Sequence, residues 1–289
     1  MKLPRLASLL LSFTASVGAL VGQTATGLSG KADGQSEKVP FDPARWKLVW
    51  ADEFDRNGAP DAARWKLEEG YLRNNEAQYY TSDRAENARI ENGHLIIEAR
   101  RDNWNGKPIT SASLTTQGKQ PFLYGRIEVR AKVPTGRGTW PAIWTLGDNI
   151  KQAGWPACGE IDILENVGFA PQTIHANVHC FAYNHMKKTG KGRSIKADAP
   201  WENFHVYAVE WYEDRLEFFF DDTRYFIFRK ESDDPAKWPF AKSQFLILNL
   251  AIGGAWGGAK GIDETLFPHR FEIDYLRYYQ EIGAKKPQP

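Results

Sequence analysis

The sequence predicts an all-β protein, a sandwich of two packed antiparallel sheets, on three observations. Apolar and polar residues alternate through many short runs, turn signals such as Glu91-Asn92-Gly93 separate the runs, and the periodicity of a long helix is missing. With 289 residues, 42% hydrophobic and 13% aromatic, the chain can bury one large core, and it contains no internal repeat or second domain.

The first segment stands apart from that core. Lys2 and Arg5 precede an apolar run over residues 6–21, broken by Ser8, Ser12, Thr14 and Ser16 and ending among small residues. This reads as a secretory signal peptide, residues 1–22, rather than a transmembrane anchor. Residues 23–40, rich in Gly, Ser and Thr, read as a flexible leader, 41–281 as the folded domain and 282–289 as a tail. Losing Lys2 and Arg5 turns the formal charge from +1 to −1. A nearly neutral mature chain argues against nucleic acid or anionic polymers as partners and favours a neutral substrate. Once the signal is removed, no remaining stretch is apolar enough to span a membrane, so the expected location is secreted or periplasmic.

Strands are expected at 48–50, 88–90, 94–100, 125–133, 142–146, 174–179, 205–211, 215–221, 245–252 and 271–279, with short helical turns at 61–67 and 234–238. Residues 126–133 are the clearest case, since every odd position is apolar, as in a half-buried strand. Cys158 and Cys180 could form one disulfide, but strand parity points them to different faces, and free thiols are expected.

The rest of the domain is organised around Glu160-Ile161-Asp162-Ile163-Leu164-Glu165. Strand alternation puts Glu160 and Asp162 on one face, but the third acid arrives one residue late. A β-bulge between Asp162 and Glu165 would return Glu165 to that face and give a row of three acids. Same-face neighbours on a strand are about 6.6 Å apart, and long Glu side chains can lean inward from both ends. Two carboxyls about 5–5.5 Å apart are the arrangement of a retaining glycosidase, one acid as nucleophile and the other as acid/base. A solvated acidic face and a metal cluster remain as alternatives, the second because acids and histidines share metals. His175, Asn177 and His179 alternate with Ala176 and Val178, and a hairpin through residues 166–173 would lay their polar face beside the acids. Trp140 and Trp144 share parity, so both can face one side, where flat rings would suit the apolar C–H faces of sugars.

Gly159 to Glu165 resembles the signature of glycoside hydrolase family 16 in its bulged, laminarinase-type form. Asn74-Asn75-Glu76-Ala77-Gln78-Tyr79-Tyr80-Thr81, the run Gly138-Thr139-Trp140-Pro141-Ala142-Ile143-Trp144, Asn249-Leu250-Ala251-Ile252-Gly253-Gly254 and the closing Ile273-Asp274-Tyr275-Leu276-Arg277-Tyr278-Tyr279-Gln280 also resemble family blocks in the same order. The resemblance implies a β-jelly roll with a substrate cleft on its concave face, and an endo-β-1,3-glucanase that retains anomeric configuration; for a secreted endo-enzyme with an open cleft, a monomer is the default expectation. It assigns Glu160 as nucleophile, Glu165 as acid/base and Asp162 as the residue that tunes Glu160. It places His179 near the acid/base, Trp144 and Trp155 at glucose-binding positions, Trp140 and Trp256 less specifically among them, and Asn75 and Arg126 as hydroxyl partners, with an ordinary ion-paired strand residue as the equal alternative for Arg126. No cofactor is implied for catalysis. A structural Ca²⁺ is implied at backbone carbonyls near the start of the domain and a carboxylate in the last strand, matching Glu53, Gly93 and Asp274. Mixed-linkage β-1,3-1,4-glucan hydrolysis and a non-catalytic, lectin-like glucan-binding module are the competing expectations.

Overall fold

The structure is a computed structural model that describes residues 36–283. Its strands in chain order are β1 (Glu37–Lys38), β2 (Trp46–Asp52), β3 (Lys66–Leu67), β4 (Tyr79–Tyr80), β5 (Ala88–Glu91), β6 (His94–Ala99), β7 (Thr110–Ser111), β8 (Ser113–Thr115) and β9 (Gly125–Lys132). There follow β10 (Thr139–Gly147), β11 (Glu160–Glu165), β12 (Thr173–His179), β13 (Lys191–Lys196), β14 (His205–Trp211), β15 (Arg215–Phe220), β16 (Thr223–Arg229), β17 (Gln244–Ile252) and β18 (His269–Glu281). Nine form one sheet in the order β1-β16-β15-β14-β9-β18-β6-β5, with β2 also on β18, and seven form the other, β13-β12-β11-β10-β17-β8-β3. A short parallel pair, β4 and β7, closes one side.

The two sheets pack face to face, as the alternating runs require. Ile127, Val129 and Ala131 of β9 lie in the core against Ile143, Ile161 and Leu164 of the seven-stranded sheet. On β12 the same rule sends Ile174, Ala176 and Val178 inward and leaves His175, Asn177 and His179 on the opposite face. Each fully buried aliphatic or aromatic side chain contributes roughly 1.5–3 kcal/mol, which is why the period of two survives over so many strands.

The short helical turns expected at 61–67 and 234–238 are present as single turns, closed by Trp65 N on Asp61 O and Trp238 N on Asp234 O (2.9 Å each), in which the Asp61 and Asp234 carboxylates accept hydrogen bonds from Ala63 N (2.8 Å) and Ala236 N (2.9 Å) without propagating. One closed turn does not offset the cost of helix nucleation, and Trp65 and Trp238 are instead drawn into the core. The only α-helix among the described residues is α1, Ile150–Ala153. The end of the supposed leader is structured, since Glu37 and Lys38 pair with Arg224 and Thr223 on β16. Edge strand β13, rich in Lys, Gly and Ser, escaped the sequence reading because charged residues that protect an edge also hide its strand character. The signal peptide and the tail beyond Gly283 lie outside the described residues. Both cysteines are free and buried.

Candidate active site

Gly159 opens β11 with φ 84°, and a Cβ there would lie 2.8 Å from Pro239 Cγ, so only glycine admits this approach. Along β11, Trp144 of β10 pairs with Asp162 and Ile143 with Leu164, which leaves Ile163 as an extra residue. On the other side Glu160, Asp162 and Glu165 stand opposite His179, Asn177 and His175. The expected bulge is present. It buries Ile161, Ile163 and Leu164 and turns all three acids to the concave face.

Each acid has its own partners. Glu160 Oε2 accepts from Trp155 Nε1 at 2.8 Å, and its Oε1 lies 3.6 Å from His179 Nε2. Asp162, 3% exposed, has Oδ2 3.3 Å from the same His179 nitrogen, and that oxygen has no hydrogen-bond partner among the described residues. Glu165 accepts from Asn177 Nδ2 at 2.7 Å and Trp140 Nε1 at 3.1 Å. His179 therefore lies beside Glu160 and Asp162, not hydrogen-bonded to Glu165. With residues 160 and 179 in register, the antiparallel hairpin brings Asn177 to Glu165 instead. That asparagine is the positioning residue the sequence reading passed over, although it belonged to the alternating polar face.

Tryptophans flank the row on both sides. Trp140 packs edge-on against Trp256 (5.6 Å), which meets His175 at 4.9 Å, so these rings line the Glu165 side. Trp144 donates through Nε1 to Asn249 Oδ1 at 2.7 Å, Asn249 donates to the Tyr80 hydroxyl at 3.0 Å, and Tyr80 donates to Glu76 at 3.1 Å. The Arg73 guanidinium sits 5.1 Å over the Trp144 ring and hydrogen-bonds Glu68. A platform held by a buried network loses little freedom when it binds a ligand. Asn75 is exposed at the rim with φ 53°, beside Asn74 whose carbonyl approaches Gly254.

Burial raises the pKa of all three acids. Glu160 is pushed up to about 8, first by desolvation and then by the charge of Asp162, while the Trp155 N–H and His179 oppose the rise. Asp162 is raised well above the usual carboxylate range by burial and Glu165. Glu165 is raised by burial, against the bonds from Asn177 and Trp140. Three carboxyls this close and this dry do not all ionise near neutral pH. Burial also holds His175 down, at about 4, so it faces Trp256 as a neutral ring.

Two expectations on the opposite sheet fare differently. Arg126 does not reach the cleft: it lies on β9 of the nine-stranded sheet, 3% exposed, paired with Glu128 (2.9 Å) and Glu210 (3.0 Å) between Phe41 and Phe219. Its matched block sets strand position but not which sheet carries the site. Arg126→Ala should leave Glu128 with only the Tyr275 hydroxyl and Glu210 with only the Tyr212 hydroxyl and Arg45 at 3.8 Å, and cost about 3–5 kcal/mol, read by thermal unfolding, with KM unchanged at temperatures where the variant is folded. Of the expected calcium ligands, Gly93 lies in the β5–β6 turn and Asp274 is the extra residue of a bulge in β18. The Glu53 carboxylate is committed to Arg277 by two 2.8 Å bonds, and Asp274 Oδ2 accepts from Arg130. A cation there would rest on backbone carbonyls and Asp274 Oδ1, an oxygen donor set of the kind Ca²⁺ takes. Among the described residues, the side chains that could converge on a metal are Glu160, Asp162 and His179, with ligand atoms within 4.8 Å of one another.

A family model described as glycosyl hydrolases family 16 matches residues 75–277. The chain belongs to glycosyl hydrolase family 16. It is 46% identical over 265 residues to a beta-glucanase of Rhodothermus marinus, a match that covers 89% of this chain and 91% of that protein. Two solved structures superpose closely on this family-16 hydrolase. One is a laminarinase from Rhodothermus marinus, with TM-score 0.80, 48% identity and coverage of 82% of this chain and 98% of that one. The other is a non-specific endo-beta-1,3(4)-glucanase of the same family, with TM-score 0.81, 44% identity and coverage of 86% and 96%. The fold of this family-16 chain is the jelly roll its strand pattern and signature led us to expect.

Proposed function

We propose that this family-16 hydrolase is a secreted, monomeric endo-β-1,3-glucanase that cleaves laminarin-type glucan with retention of configuration. The observation that carries the reading is the bulged row of Glu160, Asp162 and Glu165 on the concave face, each end wired to a tryptophan. Glu160 attacks the anomeric carbon and forms a glycosyl-enzyme while Glu165 protonates the departing oxygen. Glu165 then takes a proton from water, which attacks the same carbon and frees Glu160. Burial favours a protonated Glu165 in the resting enzyme, as its acid role requires. The displacement of Glu160 to about 8 runs against its role as an anion. A proton on Asp162 eases this in part, because it removes the neighbouring charge and leaves desolvation opposed by His179 and the Trp155 N–H.

The substrate class is supported by relatives named for β-glucan and laminarin hydrolysis. A second reading, cleavage of mixed-linkage β-1,3-1,4-glucan, has specific support in the structural relative described as non-specific for 1,3(4) linkages. The deciding assay is reducing-sugar release from laminarin, barley mixed-linkage glucan and agarose, with and without EDTA. Laminarin cleavage well above the other two, surviving EDTA, is the expected result. Loss of cleavage with EDTA would instead make the Glu160, Asp162 and His179 trio a metal site. A fall in unfolding temperature alone would fit a structural calcium at Glu53, Gly93 and Asp274.

A further inference from the structure

On the Glu160 side, a loop outside the acid motif comes up beside the reacting carboxylate. Residues 180–190 connect β12 to β13 and close on Asn184, which is 2% exposed. Its side chain accepts from Lys187 N (3.0 Å) and donates to the carbonyls of Cys180 (3.1 Å) and Phe181 (3.3 Å). Thr189 Oγ1 adds a bond to Ala182 O at 2.8 Å. The loop is prebuilt, and what it presents at the cleft is His185. That ring lies 5.3 Å from Trp155 at an interplanar angle of 36°, and 5.3 Å from His179 at 84°. Both neighbours contact Glu160. His185 is exposed, and its ring nitrogens have no hydrogen-bond partner among the described residues. A ring with a free donor and a free acceptor, beside a tryptophan and a catalytic acid, is suited to a sugar hydroxyl.

We propose that His185 is a further substrate-binding residue, one that hydrogen-bonds a hydroxyl of the glucosyl unit expected on Trp155. Partial burial and the nearby His179 lower the imidazole pKa, so at neutral pH His185 offers one N–H and one acceptor nitrogen. Met186, 74% exposed and next in the chain, extends the apolar surface outward. This role of His185 rests on the glucanase reading for the identity of its ligand.

The test compares His185→Ala and His185→Gln with the unsubstituted enzyme on laminarin, barley glucan and agarose. An exposed side chain without hydrogen-bond partners can be replaced with little effect on folding, which unfolding curves verify. One lost hydrogen bond predicts that His185→Ala raises KM about threefold to tenfold with most of kcat retained. His185→Gln, whose amide keeps a donor and an acceptor, should recover at least half of that loss. Laminarin cleavage with KM unmoved would overturn the role of His185 alone. A fall in kcat at constant KM would also overturn it, and would make His185 a support for His179 and Glu160. The same KM shift on a polymer other than laminarin would overturn the linkage reading and keep the role of His185. No cleavage of any polymer, with laminarin retarding the protein in an affinity gel equally with and without His185, would overturn both.

Discussion

Glu160→Ala and Glu165→Ala should each lower kcat on laminarin by about ten-thousand-fold or more, and azide should rescue them with opposite stereochemistry. Removing Glu160 opens space on the face of the sugar opposite the leaving group. Azide entering there displaces the leaving group in one inversion and yields an α-glycosyl azide. Removing Glu165 keeps the nucleophile but takes away the proton donor, so a substrate with an activated aryl leaving group still forms the glycosyl-enzyme. A second inversion by azide then gives the β-glycosyl azide. The anomeric proton coupling in the product distinguishes the two outcomes. Exchange of the two products between the variants would reverse the roles assigned to the two glutamates, and inversion in the unsubstituted enzyme would remove the covalent step.

Glu160→Gln should make the protein more stable than the unsubstituted enzyme, increasingly so as pH rises. A buried acid whose folded pKa is raised favours the folded state below its unfolded value, about 4.5. That contribution is lost as pH rises through the folded value, about 8. Glutamine keeps the shape and an oxygen that can accept from Trp155 Nε1, but it carries no charge to bury. Thermal unfolding at pH 5 should therefore show a small difference between the two proteins. At pH 8 the variant should lead by a few kcal/mol, at about 1.4 kcal/mol for each unit of displacement. A gap that stays constant across that range would mean that Glu160 is not held in a costly charged state, and that the acid row is wetter than its burial implies. Greater stability gained with lost activity is the usual sign of a site whose charges work against the fold.

The sequence by itself determined whatever follows from the period of two. It put Ile127, Val129 and Ala131 inward and His175, Asn177 and His179 outward. One misplaced acid required a bulge between Asp162 and Glu165, and the structure has it at Ile163. Those are local facts, because strand geometry fixes the face of a side chain from its neighbours alone. Only the tertiary structure decided which strands lie side by side and in what register. Register gave His179 to Glu160 and Asp162 and gave Asn177 to Glu165. Sheet order placed Arg126 on the sheet that does not carry the acids and led the network behind Trp144 through Asn249 and Tyr80, residues 169 apart in the chain. Loop closure brought His185 against Trp155. Such contacts are chosen by the packing of two whole sheets, a sum over many distant residues that no short stretch of sequence contains.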